Sequence, residues 1–169
     1  TNTIRVFGLK AGIPVLLFDV FKAWFAVHLS VWFFNPVYSP NQEVIYWIIL
    51  GGLAVLGHVF PVFAGFKGGK GVASLVGVVM ALYPAAFFVI LVFFILVMVF
   101  TRTVSLASMG GAFIFPFVVI FVFGETRPPL IILAIAIALF IPYTHRENIK
   151  RLLNGTEKKF DFGKNRIKR

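Results

Sequence analysis

The sequence predicts an all-α fold, a polytopic integral membrane helix bundle, on three observations. Of its 169 residues, 60% are hydrophobic and only 13% charged, with a mean hydropathy of +0.96. A soluble domain carries roughly a quarter charged residues to wet its surface. The apolar residues fall into runs long enough to cross or nearly cross a bilayer, and the cations flank those runs. A disordered chain, a disulfide scaffold and a cytosolic enzyme are excluded on composition. The absence of Cys removes disulfides, thiolate metal sites and thiol nucleophiles. No metal centre and no cofactor is expected.

The runs are residues 11–34, 44–66, 72–100, 109–124 and 130–143. The first two have the length of single spans, since about twenty helical residues cross a hydrocarbon core of about 30 Å. The third holds 29 residues without a charge, which as one helix would be about 44 Å long. Charge placement decides how it is divided. Residues 35–43 carry no Lys or Arg and are placed outside; Arg5 and Lys10 before them, and Lys67 and Lys70 after them, are placed inside. A single crossing by residues 72–100 would leave Arg102 outside, and the tail with it, although nine of the sixteen cations follow Tyr143. A reversal at Tyr83-Pro84, where proline disfavours helix in the residue before it, restores both to the inside. About six transmembrane or partly spanning helices follow, with a cytoplasmic C-terminus. Residues 1–143 are expected to form the membrane bundle, and residues 144–169 a cytoplasmic basic tail with a short amphipathic helix at 144–154.

Polar residues inside such helices are costly and mark bundle interiors or aqueous cavities. In the first helix Asp19 and Lys22, three apart, share a face. Either they neutralise each other or one of them reaches a substrate pocket, and Asp19 has the lysines of residues 67–70 as alternative partners. His28 is read as structural. The second run ends in Gly57-His58-Val59-Phe60-Pro61 and Phe66-Lys67-Gly68-Gly69-Lys70-Gly71. Glycines let backbone N–H groups approach an anion, the next helix offers its positive end near Gly71, and two ammonium groups add charge. The pattern is a phosphate cradle of a kind other than the Walker loop; its alternative is an interfacial loop with snorkelling lysines.

The hydroxyls of Thr101-Arg102-Thr103-Val104-Ser105-Leu106-Ala107-Ser108 either cap the helix that follows or donate to phosphate oxygens. Thr144-His145-Arg146-Glu147 fits a capping box, with Asn154-Gly155 as the stop. His145 and Asn148 share the stripe of Ile149, Leu152 and Leu153, so two hydrogen-bonding side chains sit on the face that docks against the bundle. Arg146, Lys150 and Arg151 face away, and residues 157–169 read as a solvated basic segment drawn to anionic headgroups.

In this order the clusters resemble one family, the PlsY-type bacterial acyl-phosphate:glycerol-3-phosphate acyltransferases. Thr1-Asn2-Thr3-Ile4-Arg5 followed by Asp19-Val20-Phe21-Lys22 looks like the end of the family's first motif and its next helix, and Gly57 through Ala73 looks like the second motif. Arg102 through Ser108 and His145-Arg146-Glu147-Asn148-Ile149 match the later signatures. The resemblance implies seven helices in the intact family, of which the first, with most of the first motif and an important serine, is expected to be absent from this chain.

The resemblance implies transfer of a fatty acyl group from acyl phosphate to the sn-1 hydroxyl of glycerol 3-phosphate, giving lysophosphatidic acid and phosphate, the first step of bacterial phospholipid synthesis. It implies catalytic roles for His145, Asn148, Lys70 and Arg5, and substrate binding by Thr1, Asn2, Lys67, Gly68, Gly69, Gly71, Arg102, Ser105 and His58. The expected partners are glycerol 3-phosphate, acyl phosphate, membrane lipids and, functionally, the enzyme that makes acyl phosphate; nucleic acid is not among them. The expected location is the bacterial inner membrane, with the site facing the cytoplasm. An acyl phosphate has a good leaving group, so the site must hold two phosphates and stabilise developing charge rather than form a covalent intermediate. His145 acts as base or as donor, or the substrate phosphate takes the proton. A transporter or channel for a phosphorylated solute would use the same cations but would need a route to the other face.

Overall fold

The computed structural model describes residues 2–29 and 40–160, although not the side chains of residues 2, 5, 40 and 41. Among the described residues there is no strand. The helices are α1 (Asn2–Phe7), α2 (Leu9–His28), α3 (Pro40–Val59), α4 (Val72–Leu82), α5 (Pro84–Thr101), α6 (Val104–Phe117), α7 (Pro128–Thr144) and α8 (Arg146–Leu153). α6 continues as a π-helical turn, Val118–Val122.

Each expected span has its helix, α2 through α7, flanked by the short α1 and α8. α2, α3, α5 and α6 with its π turn are long and apolar enough to cross a membrane. The reversal falls where proline predicts it: α4 ends at Leu82, Tyr83 leaves helical geometry at ψ 58°, and Pro84 opens α5. At the first helical position its missing N–H costs nothing. Tyr83 closes the turn by donating its hydroxyl to the Leu130 carbonyl at 2.5 Å.

Two boundaries differ from the sequence reading. α3 ends at Val59 rather than running to residue 66, because Pro61 disfavours helix at Phe60. A 3₁₀ turn, Val62–Ala64, follows. α6 begins at Val104, several residues before the run at 109, so the small polar residues Ser105 and Ser108 lie inside the helix. Pro116 within α6 has no N–H for the preceding turn, and the π turn follows directly.

The bundle is tightest where side chains are smallest. Gly77 of α4 lies against the α2 backbone: a Cβ there would be 2.1 Å from the Val20 carbonyl oxygen. Ala23, fully buried, flanks that contact on α2. Lipid offers no hydrophobic drive for helix association, so close backbone approach through small residues supplies the dispersion contact instead. On the neighbouring face Gly51 of α3 admits Val27 and Val78. Broad apolar surfaces on α2, α5 and α6 remain exposed, among them Phe18, Val92 and Phe113, as expected of lipid-facing helices.

Because consecutive helices run in opposite directions, the starts of α2, α4 and α6 share one end of the bundle with the ends of α3, α5 and α7. α8 leaves α7 there at a bend of 60°. Those candidate residues whose side chains are described collect at this end.

Candidate active site

The glycine-rich segment is built by the end of α3. A helix ends with carbonyls that lack donors, and here the loop returns to supply them. Gly68 N–H donates to Val59 O at 3.1 Å and Gly69 N–H to His58 O at 3.2 Å. Side chains are excluded by the same closeness: a Cβ on Gly68 would lie 2.1 Å from His58 O, and one on Gly69 2.1 Å from His58 Nε2. This corrects one expectation, since the amides of Gly68 and Gly69 are spent on α3 rather than turned toward an anion. The glycines serve the loop through their lack of bulk. Gly71, at φ +80°, caps the start of α4 and packs on Val55, Val59 and Phe140.

The tight return delivers Lys70 to α8, where its ammonium group donates to Asn148 Oδ1. The Asn148 amide is thereby oriented, and its Nδ2 donates to Glu157 Oε1 at 2.6 Å. Glu157 is the hub of this end. Ser105 donates to Oε1 at 2.8 Å and Arg151 Nε to Oε2 at 2.8 Å, leaving the Glu157 side chain 5% exposed. Burial alone would raise this carboxyl, but hydrogen bonds from Asn148, Arg151 and Ser105 outweigh it and hold it at about 2. Residues 157–160 are therefore not a free solvated strand: the turn after α8 carries Glu157 inward, and Phe160 N–H donates to Arg102 O at 2.6 Å.

His145 and Asn148 are both buried, at 3% and 4% exposure. His145 Nδ1 lies 2.8 Å from Ile141 O. A carbonyl only accepts, so in the neutral ring Nδ1 carries the hydrogen and Nε2 keeps a lone pair. The expected capping box does not form. α7 runs on to Thr144, whose hydroxyl donates back to Ile141 O at 3.0 Å; His145 holds the cap position, and Glu147 pairs with Lys150 at the surface at 3.3 Å. Leu153, expected on the docking stripe, is 82% exposed.

The hydroxyl cluster after α5 does not cap α6 either. Thr103 donates to Thr101 O at 3.0 Å and Ser108 to Val104 O at 2.9 Å, while Ser105 goes to Glu157. Arg102, at φ +53°, ends α5 with an exposed side chain, and Lys67 is exposed beside the glycine segment. His58 joins Asp19 and Lys22. Lys22 Nζ is 2.6 Å from Asp19 Oδ1 and 3.1 Å from His58 Nδ1. Asp19 therefore pairs within its own helix rather than with the loop lysines. His28 is structural, with Nδ1 2.9 Å from Trp24 O and its ring against the indole. Asn2 and Arg5 lie on α1, but their side chains, like the whole of Thr1, lie outside the described residues.

Glu157 is the residue that sequence reasoning missed. Its signal was the first carboxylate after a helix-stopping Asn154-Gly155, one of six acidic residues in the chain, set among cations.

Apolar helices that gather a lysine, a buried asparagine and a buried histidine at one end define an integral membrane protein whose polar site lies at the end of its bundle. A profile of the glycerol-3-phosphate acyltransferase family matches residues 1–155, and the chain belongs to that family. The glycerol-3-phosphate acyltransferase of Fusobacterium nucleatum is 43% identical over 96% of this chain and 79% of its own length. That of Listeria monocytogenes is 41% identical over 96% and 78%, and that of Chlorobium limicola 38% over 97% and 81%. Two crystal structures of PlsY, an integral membrane glycerol 3-phosphate acyltransferase, share the fold. The lysophosphatidic acid form has a TM-score of 0.81 at 35% identity, covering 95% of this chain and 78% of that one. The glycerol 3-phosphate form has a TM-score of 0.82 at 36% identity, covering 95% and 76%.

Proposed function

We propose that this glycerol-3-phosphate acyltransferase takes its acyl group from an acyl phosphate and places it on the sn-1 hydroxyl, releasing lysophosphatidic acid and inorganic phosphate. The observation that carries this reading is the junction of Lys70 with Asn148 beside buried His145. It puts a cation, an oriented amide and an imidazole lone pair at one end of the bundle. The glycerol 3-phosphate and lysophosphatidic acid forms of PlsY support the acceptor and the product.

In this reading the sn-1 oxygen attacks the acyl carbonyl carbon, the carbonyl-to-phosphate oxygen bond breaks, and phosphate leaves with the electron pair. His145 Nε2 takes the hydroxyl proton. Lys70 neutralises phosphate charge that builds as the bond breaks, with its position set by Asn148. Lys67 and Arg102, both exposed at this end, supply further positive charge, and Arg5 and Thr1-Asn2 add to the phosphate pocket. Gly68, Gly69 and Gly71 shape the loop, His58 packs against it, and Ser105 holds Glu157 beside Asn148.

The membrane is the bacterial inner membrane, crossed several times by residues 1–143, with residues 144–169 and the site on the cytoplasmic side, where water-soluble glycerol 3-phosphate arrives. The nine cations after Tyr143 support that orientation. Supply of the donor calls for an enzyme that makes acyl phosphate. The test offers the purified protein acyl phosphate and an acyl thioester separately with glycerol 3-phosphate, then locates the acyl group by NMR. Product acylated at sn-1 from acyl phosphate supports the reading; product from the thioester alone overturns it.

A further inference from the structure

The ion pair in the middle of α2 has a consequence at the site. Asp19 lies about 15 Å along α2 from its start, well inside the bundle, where a pair serving only itself would be an expensive feature. This pair does not serve only itself. Lys22 Nζ, 2.6 Å from Asp19 Oδ1, also lies 3.1 Å from His58 Nδ1, and that ring nitrogen is 3.2 Å from Asp19 Oδ1. Two polar groups of α2 thus fix the ring of His58, on α3, at the edge that carries Nδ1.

The opposite edge meets the loop. His58 Nε2 is the nearest atom to the position a Cβ would take on Gly69, at 2.1 Å, with Cε1 at 3.0 Å and Cδ2 at 3.1 Å. The His58 carbonyl accepts from Gly69 N–H at 3.2 Å. Backbone and ring of one residue therefore clamp Gly69, and the next residue is Lys70, whose ammonium group reaches Asn148 on α8. The line of contact runs from Asp19 and Lys22 to His58, to Gly69, to Lys70.

We propose that Asp19 and Lys22 are positioning residues for acyl transfer, which act through the His58 ring to hold Gly69 and so aim Lys70 at the substrate phosphate. This rests on the role assigned to Lys70 above. Neither Asp19 nor Lys22 touches substrate. The pair keeps the His58 ring in one orientation, which in turn fixes the loop.

Two measurements test it. In steady-state kinetics Lys22→Met, Asp19→Asn and His58→Ala each raise the KM for glycerol 3-phosphate roughly tenfold or more, the scale on which small misplacements act. Lys22→Met combined with His58→Ala is no worse than His58→Ala alone, and Lys22→Arg restores the wild-type KM. Gly69→Ala, harmful in the wild type, adds nothing in the His58→Ala background, since the ring it would strike is gone. A merely structural pair would lower the yield of folded enzyme with KM unchanged; that outcome, or full additivity of Lys22→Met with His58→Ala, overturns the proposal.

The second measurement needs no catalysis. Competitive acetylation of the detergent-solubilised protein, read by mass spectrometry with Lys67 as internal reference, should modify Lys70 several-fold faster in Lys22→Met and Asp19→Asn than in the wild type. Equal rates overturn the positioning role even if the enzyme is active. Faster labelling with no lysophosphatidic acid formed by the wild type would uphold the clamp and sink the assigned chemistry instead.

Discussion

Lys70 and Asn148 are 78 residues apart in the chain and joined by a hydrogen bond from the ammonium group to the amide oxygen. That bond ties the loop after α3 to α8 and sets which way the Asn148 amide points. Removing either partner should lower kcat/KM for glycerol 3-phosphate by about two orders of magnitude or more, the usual effect of losing a preorganised electrostatic group. Lys70→Met and Asn148→Ala in one chain should cost far less than the product of the two single losses, because the residues act as a unit. Kinetics of the four proteins of the cycle measures this; independent effects would separate the two residues.

Glu157 gathers donors from Ser105, Asn148 and Arg151. Glu157→Ala leaves a buried hydroxyl and amide without their acceptor and should destabilise the protein by about 2–4 kcal/mol. Thermal unfolding in detergent reads this, with Glu157→Gln expected to fall between it and the wild type.

The same carboxylate gives a pH dependence. Its folded value, about 2, lies below its ordinary value of 4.5, so its contribution is present in full above 4.5 and is lost as pH falls from there through about 2. A spin label on Lys159→Cys should stay restrained at neutral pH and loosen only in that acid window. In Glu157→Gln it should be loose throughout. Equal mobility at every pH would contradict the docking.

Gly77→Ala places a methyl group 2.1 Å from the Val20 carbonyl oxygen, a backbone atom that yields only if α2 and α4 part. The expected cost is about 1–3 kcal/mol, again by thermal unfolding. Ser74 is the opposite case. Its hydroxyl is buried without a hydrogen-bond partner among the described residues, so Ser74→Ala should be neutral or stabilising by up to about 1 kcal/mol.

Orientation is open to a direct check because the sequence has no Cys. A cysteine at position 126, in the turn between α6 and α7, should react with a membrane-impermeant maleimide from outside the cell. Reaction only from the cytoplasmic side would reverse the assigned topology.

The helix count and the break at Pro84 were legible in the sequence, because charge parity and proline stereochemistry act locally. The gathering of Lys70, Asn148 and His145 was legible as a set of residue types but not as contacts. Glu157 was not legible: a carboxylate among tail lysines reads as solvated, and only the turn after Leu153 and the distant Ser105 make it a hub. The Thr144 cap failed because α7 continues through Pro142, whose missing N–H does not stop a helix whose later amides still find carbonyls. The amides of Gly68 and Gly69 were misassigned because the need of α3 for donors at its end is settled by where that helix stops, at Val59.

The most direct measurement follows both products at once. Wild-type protein in lipid nanodiscs, given acyl phosphate and labelled glycerol 3-phosphate, should form lysophosphatidic acid and inorganic phosphate in equal amounts, and Lys70→Met should lose both together. Phosphate released without lysophosphatidic acid, or no lysophosphatidic acid from the folded wild-type protein, would contradict acyl transfer at this site.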